Sequence, residues 1–280
     1  MGLKGLSMLP SLKNLVKRVI PGKYQPQLKH LKDNLYSYHW IFYLGSRFTC
    51  PFCDQSFRKF RPIDLDDLNA PKYRLVGHGR REHCYCPRCA SLDRERLVYL
   101  YLLHQTSVFQ DQVSLLHVAP EKNLQKIFQA CPGISYLSAD LSMDEVMVKM
   151  DVTDIHYPED SFDIIICNHV LQYVPDDLKA MSELFRVLKP GGWAIMQVPI
   201  SLALDSTYTF PEDRGVTDPD CQYDSTLHAR IYARDYQDRL KSAGFKVAQF
   251  RWTDQVADFG GEKNRYALIP EEVLYIASKP

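Results

Sequence analysis

Glycine is missing from the place where a nucleotide-binding fold most needs it. The run Leu115-Leu116-His117-Val118 predicts a buried parallel strand and Glu121 onward a helix, yet the junction between them reads Ala119-Pro120-Glu121. Without bare backbone, and with a carboxylate at the helix start, this turn is a poor cradle for a pyrophosphate. The 280 residues also lack any run of about 18 consecutive apolar side chains, so no membrane-spanning helix is expected. Net charge is absent too, with 34 Lys/Arg against 34 Asp/Glu. The balance is uneven, because eight basic residues precede Cys50 against the single acid Asp33, leaving 26 basic and 33 acidic residues for the rest. An acidic body without interleaved aromatic and basic residues counts against a nucleic-acid partner.

Residues 1–45 are the basic part. Leu12, Leu15, Val16 and Ile20 share a helical spacing with Lys13, Lys17 and Arg18 between them. The arm has neither the compact apolar core nor the small-residue cleavage site of a secretory signal, and Leu6 stands where a myristoylation pattern wants serine or threonine. It reads as a helix packed on the body with a solvated basic face. The alternative is weak attachment to an anionic membrane surface, giving a cytoplasmic or membrane-peripheral protein. Pro21-Gly22 ends the first helix, and the aromatic run from Tyr36 to Tyr43 needs something to pack against.

Eight cysteines are present, and four of them fall into two copies of one pattern, Cys50-Pro-Phe-Cys53 and Cys86-Pro-Arg-Cys89. Each turn can offer two thiolates to one tetrahedral ion, so residues 46–91 are expected to form a zinc-ribbon-like module with Cys50, Cys53, Cys86 and Cys89 as ligands. Cys84 or His83 could replace Cys86, which leaves the third ligand open. Four sulfur ligands close the site, so the zinc is structural, and the module has too few apolar residues to fold without it. The segment after it predicts a linking helix capped by Ser91, with Leu97, Val98, Tyr101 and His104 as its buried stripe. Arg80, Arg81, Arg88, Arg94 and Arg96 crowd around this helix and read as a solvated or ion-paired surface.

From residue 113 strands and helices alternate, which predicts an α/β domain with a doubly wound parallel sheet over residues 92–280. A short helix is expected near Met143 to Val148. The stretch from 200 to 233 has no clear periodicity and reads as a substrate lid.

The piece "FDIIICNHVLQYVPDDLKAMSELFRVLKPGGWAIMQVP" and the ending of helix, "AGF", strand, loop and strand resemble the class I S-adenosylmethionine-dependent methyltransferases, of the type 11-like kind. The resemblance covers about residues 113–280 and implies a Rossmann-like sheet with an antiparallel last strand, an S-adenosylmethionine cofactor and methyltransferase activity. It implies Asp140 on the ribose hydroxyls and Asp151 at the adenine edge, with Leu141 and Val152 beside them. Asn168 and His169 then face the cofactor and the substrate mouth. The two C-P-x-C pairs followed by "SLDRERL" resemble a zinc-bearing subgroup associated with glycan synthesis at the cell surface.

The first motif departs from that family, with His117, Ala119, Glu121 and Asn123 in place of its acid and glycines. S-adenosylmethionine carries no phosphate. It brings an ammonium and a sulfonium, for which Glu121 is a favourable neighbour, and Pro120 starts the helix where a missing N–H is tolerated. His169, His228 and Tyr232 are candidate catalytic groups, and Arg230 a candidate anion clamp for the acceptor. Three readings follow: a methyltransferase for a small molecule or glycan, with O-methylation favoured; an RNA methyltransferase docking through its zinc module; and a non-catalytic binding protein with a degenerate cofactor site.

Overall fold

The computed structural model describes residues 38–63, 70–210 and 228–280. The stripe from Leu12 to Ile20 and the middle of the expected lid lie outside them.

Seven strands form the central sheet. They are β1 (Val113–Val118), β2 (Ile134–Asp140), β3 (Val148–Lys149), β4 (Phe162–Cys167), β5 (Leu188–Ile195), β6 (Lys246–Phe250) and β7 (Leu274–Ser278). Their order across the sheet is β6-β7-β5-β4-β1-β2-β3, so the chain starts at β1 in the middle and winds both ways. Pairing is parallel from β3 through β5, while β7 lies antiparallel between β5 and β6, as the resemblance implied. The order reverses between β1 and β4, and the crevice beyond the carboxyl ends of those strands is where such sheets bind ligands.

Strand alternation makes two cores. Leu116 and Val118 of β1 and Ile165 and Cys167 of β4 face one layer with α3 (Asp177–Val187) and α4 (Tyr236–Ser242). Leu115, Ile164 and Ile166 face the other with α1 (Asp93–Gln105) and α2 (Lys122–Ala130). Helix α3 is capped at its start, where the Asp176 carboxylate accepts from the Lys179 N–H at 3.0 Å. The Pro190-Gly191-Gly192 turn is absorbed as an irregularity in β5. A Cβ on Gly192 would come within 2.7 Å of the Asp163 carbonyl, so only glycine fits there.

Several expectations fail locally. No helix forms near Met143 to Val148, because the Asp140 side chain takes the Ser142 and Met143 N–H groups into a turn instead. Helix α1 starts after Leu92, not Ser91. The Ser91 hydroxyl lies 3.3 Å from Cys50 Sγ, while Glu95 reaches back to the Leu92 N–H. His104 is exposed, and Leu100 and Leu102 fill the buried stripe in its place. The ends of the expected lid are pinned: Ile200–Ser201 pairs with Leu75–Val76, and Tyr208–Thr209 with Arg230–Ile231. Among the described residues no helix is long and apolar enough to cross a membrane.

Candidate functional site

The two cysteine turns fold alike because their sequences are alike. In each, the carbonyl of the first cysteine accepts an N–H from the residue four positions on, Asp54 or Ala90, and that residue sits at positive φ. The turns bring the sulfurs together, with Cys50 and Cys89 3.5 Å apart, Cys53 and Cys86 3.8 Å apart, and all four within 4.8 Å of one another. A tetrahedral zinc with bonds of about 2.3 Å needs sulfurs roughly 3.8 Å apart, so this donor set fits one ion. Cys86 is the third member. Cys84 points elsewhere, accepting from Arg81 Nη2 at 3.3 Å, and the His83 ring packs on Phe48.

Arg96 ties this module to the rest, and it is not the surface residue its neighbours in sequence suggest. It is fully buried and donates to five carbonyls: His83, Cys84 and Ser91 on one side, Tyr266 and Ala267 on the other. Its guanidinium carbon lies 4.6 Å from the Phe60 ring centre. Five donors matched to five acceptors satisfy the group that burial would otherwise make costly.

The first motif builds a second polar centre at the ends of β1 and β4. Ala119 adopts φ of +48°, so the turn keeps the left-handed backbone that a glycine would give, at a cost of about 1–2 kcal/mol. His117, fully buried on β1, places Nδ1 3.1 Å from the Tyr136 hydroxyl and Nε2 2.9 Å from Glu121. Asn168 donates to the other Glu121 oxygen at 3.4 Å. Burial opposes ionisation of Glu121, but the hydrogen bond and charge of His117, with Arg94 nearby, hold its carboxyl below the usual range. Behind it, Glu95 accepts from the Asn123 and Leu124 N–H groups and so fixes the start of α2 against α1. The His117 and Glu121 side chains therefore form one hydrogen-bonded unit.

Around Glu121 several buried polar atoms have no partner among the described residues: Asn168 Oδ1, His169 Nε2 and Arg94 Nε. Burial first, then the cationic Arg94 and Arg81 and the imidazoles of His78 and His228, hold His169 well below its ordinary value. It is a neutral imidazole on a backbone at φ of +54°, and that backbone is pinned by the His169 main-chain N–H donating to the Gln197 carbonyl at 2.7 Å.

Asp140 and Asp151 end up at the same sheet edge with one oxygen each engaged by the loop that follows. Asp140 Oδ1 accepts from Ser142 and Met143, and Asp151 Oδ1 accepts from the Thr153 N–H and hydroxyl. Their Oδ2 atoms have no partner among the described residues. Leu141 between them is 69 % exposed, an apolar surface lying open at the edge, whereas Val152 is buried.

The groups expected on the acceptor side divide. His228 is buried with its ring 4.5 Å from Tyr173 and 5.2 Å from His78, so the cysteine module supplies part of this wall. Arg230 is not a clamp. It is 2 % exposed, donates to the Leu171, Val174 and Pro175 carbonyls, and lies 3.4 Å from Asp177. Tyr232 is no base either, since its buried hydroxyl donates to Asp177 at 2.8 Å and burial with that carboxylate pushes it well above the ordinary phenol range. Both brace the strand that closes this end of the sheet. Sequence reading missed Arg94, Gln197 and Glu272. The Gln197 amide donates to Glu272 at 2.6 Å, and Glu272 is buried against Gly77. Nothing in their local sequence marks them, because the partners come from three distant segments.

Known proteins resemble this chain in part. Residues 117–196 match the family model of a methyltransferase domain. The match runs from the first motif through β5, so the matched segment includes both polar strand ends described above. A probable methyltransferase, ltbC, of Aspergillus luteorubrus is 54 % identical over 39 residues, covering 13 % of this chain and 14 % of that protein. A demethylmenaquinone methyltransferase of Lysinibacillus sphaericus (strain C3-41) is 25 % identical over 130 residues, 46 % of this chain and 48 % of that protein. The chain thus spans less than half the length of these relatives. Among solved structures, an S-adenosylmethionine-dependent methyltransferase from Mesorhizobium loti superposes with a TM-score of 0.46 at 18 % identity, covering 66 % of this chain and 97 % of that one.

Proposed function

We propose that the protein is an S-adenosylmethionine-dependent methyltransferase acting on a small-molecule or glycan acceptor, with a hydroxyl oxygen as the favoured target. The observation that carries this reading is the set of unpartnered buried atoms around Glu121. Asn168 Oδ1, His169 Nε2 and Arg94 Nε lie buried at the switch point of the sheet beside an ionised carboxylate, and buried polar atoms call for a partner. The acceptors Asn168 Oδ1 and Glu121 suit an ammonium and the Arg94 Nε–H donor suits a carboxylate, whereas a carboxylate at this turn does not suit a pyrophosphate. Asp140 and Asp151 present their remaining oxygens further along the edge, where a ribose and an adenine amine can donate to them, and Leu141 offers an apolar face.

When bound, the cofactor supplies a methyl group on a positively charged sulfur, a good leaving group for displacement at carbon. The chain's own part is to position the acceptor and exclude water. His169 does this as a neutral hydrogen-bonding wall. Its depressed basicity makes it a weak proton acceptor, so positioning carries more of the rate than base catalysis. His78, Tyr173 and His228 form the outer wall on the acceptor side. A second reading, methylation at carbon on a quinone-like ring, draws its support from the Lysinibacillus relative.

Calorimetry tests the cofactor. S-adenosylmethionine is expected to bind and NAD not, and Asp140→Ala should weaken binding by on the order of 1–3 kcal/mol through the lost ribose contacts. Equal affinity of both proteins would remove Asp140 from the site, and no affinity in the wild type would leave the non-catalytic reading. The acceptor is found by comparing methylated metabolites in cells with and without the gene.

A further inference from the structure

The cysteine module carries a surface that the methyltransferase reading does not use. Residues His39–Tyr43 form a single 3₁₀ turn leading into the strand Leu44–Thr49, and the turn contributes no buried residue. Phe42 is 77 % exposed, and Tyr38, Ile41 and Leu44 beside it are exposed as well. Four large apolar side chains within seven residues, all facing solvent, are more than the scattered exposure of an ordinary surface.

Cations surround them. Residues 38–63 hold Arg47, Arg58, Lys59 and Arg61 against Asp54, with Asp64, Asp66 and Asp67 following in sequence, and the Arg58 N–H is bonded to the Tyr43 carbonyl, which sets Arg58 and Lys59 beside the turn. Lys59 lies 6.0 Å from the Tyr43 ring centre, and Arg88 of the second cysteine turn lies 5.1 Å from that of Trp40. Aromatic and basic residues therefore interleave at this junction of the basic arm. The 37 residues leading into the patch add seven Lys/Arg and only Asp33.

We propose that this patch docks on an anionic membrane surface, with Ile41, Phe42 and Leu44 entering the headgroup boundary and the surrounding cations on the lipid phosphates. Peripheral attachment needs two signals, an apolar insertion and a basic field, and both converge on this turn. A lipid surface fits better than RNA. The Trp40 and Tyr43 rings already carry the protein's own cations, and two of the three apolar tips are aliphatic and offer no face for base stacking.

Co-sedimentation of the full 280-residue chain with vesicles tests this. Binding is expected to vesicles containing about one third phosphatidylserine, to fall severalfold when salt is raised, and to be far weaker on pure phosphatidylcholine. Phe42→Asp should lower binding about tenfold or more, and Phe42→Trp should keep it. The Phe42 side chain is mostly in solvent, so melting temperature and metal content should hold in both variants; if Phe42→Asp misfolds, Ile41→Asp replaces it. Wild-type affinity in Phe42→Asp overturns the proposal and assigns the attraction to the basic arm alone. Binding of an RNA oligonucleotide without vesicle binding, or a Phe42-dependent dimer without it, also overturns the proposal.

Discussion

Glu121 is the residue on which the unusual first motif turns. Its carboxylate is shared between His117 and Asn168, so it serves the fold as well as any ligand. If it also faces the cationic end of the cofactor, Glu121→Gln should weaken S-adenosylmethionine more than its demethylated product, because only the former carries the sulfonium charge. Titration of both ligands against both proteins checks this. An unchanged affinity ratio with a lower melting temperature would confine Glu121 to the His117 network. Glu272 makes a different prediction. Its carboxyl, with one oxygen unpartnered, is pushed up from 4.5 to about 7, by burial first and then by Asp93, against Arg81, Arg94 and the Gln197 amide. Across that window the folded chain holds a proton that the unfolded chain has released, so stability falls as pH rises and the loss is complete above 7. The loss is on the order of 3 kcal/mol. Glu272→Gln removes this titration and should exceed the wild type in stability at pH 8 by more than at pH 5. Urea unfolding at the two pH values reads the difference, and parallel curves would mean that the carboxyl is not desolvated.

At the scale of elements, the cysteine turns and the sheet depend on one another. Leu75–Val76 of the module pairs with Ile200–Ser201 beyond β5, and the Ser201 hydroxyl donates to the Tyr73 carbonyl at 2.7 Å. About one zinc per chain is expected in protein prepared without chelator, and Cys53→Ser should lose both metal and solubility. Because the module pairs directly with the chain leaving β5, chelation should also lower the melting temperature of the sheet domain. Metal-free protein with an unchanged melting curve would refute this. The elements read most easily from sequence were those with local signals. The strand Phe162–Cys167 was legible, as were the paired C-P-x-C turns. The 143–148 helix was misread because the Asp140 side chain competes for the same N–H groups, and propensity carries no trace of that competition. Arg230 and Tyr232 were misassigned for a related reason. Their chemistry suits a site, but their partners, Leu171 and Asp177, lie 55 or more positions away and turn them inward.

For the whole molecule, Arg96 imposes an order in time. Two of its five acceptors, Tyr266 and Ala267, are 170 and 171 positions downstream, and the Thr49 N–H likewise waits for the Arg265 carbonyl. During synthesis the four thiols leave the ribosome early, at a stage when the carbonyls that lock their support are not yet made. The cysteine turns must therefore wait, with their thiols open to oxidation, until residues 265–267 have been made, at roughly 5–20 residues per second. The early half of this fold is finished by a segment synthesised more than a hundred residues later.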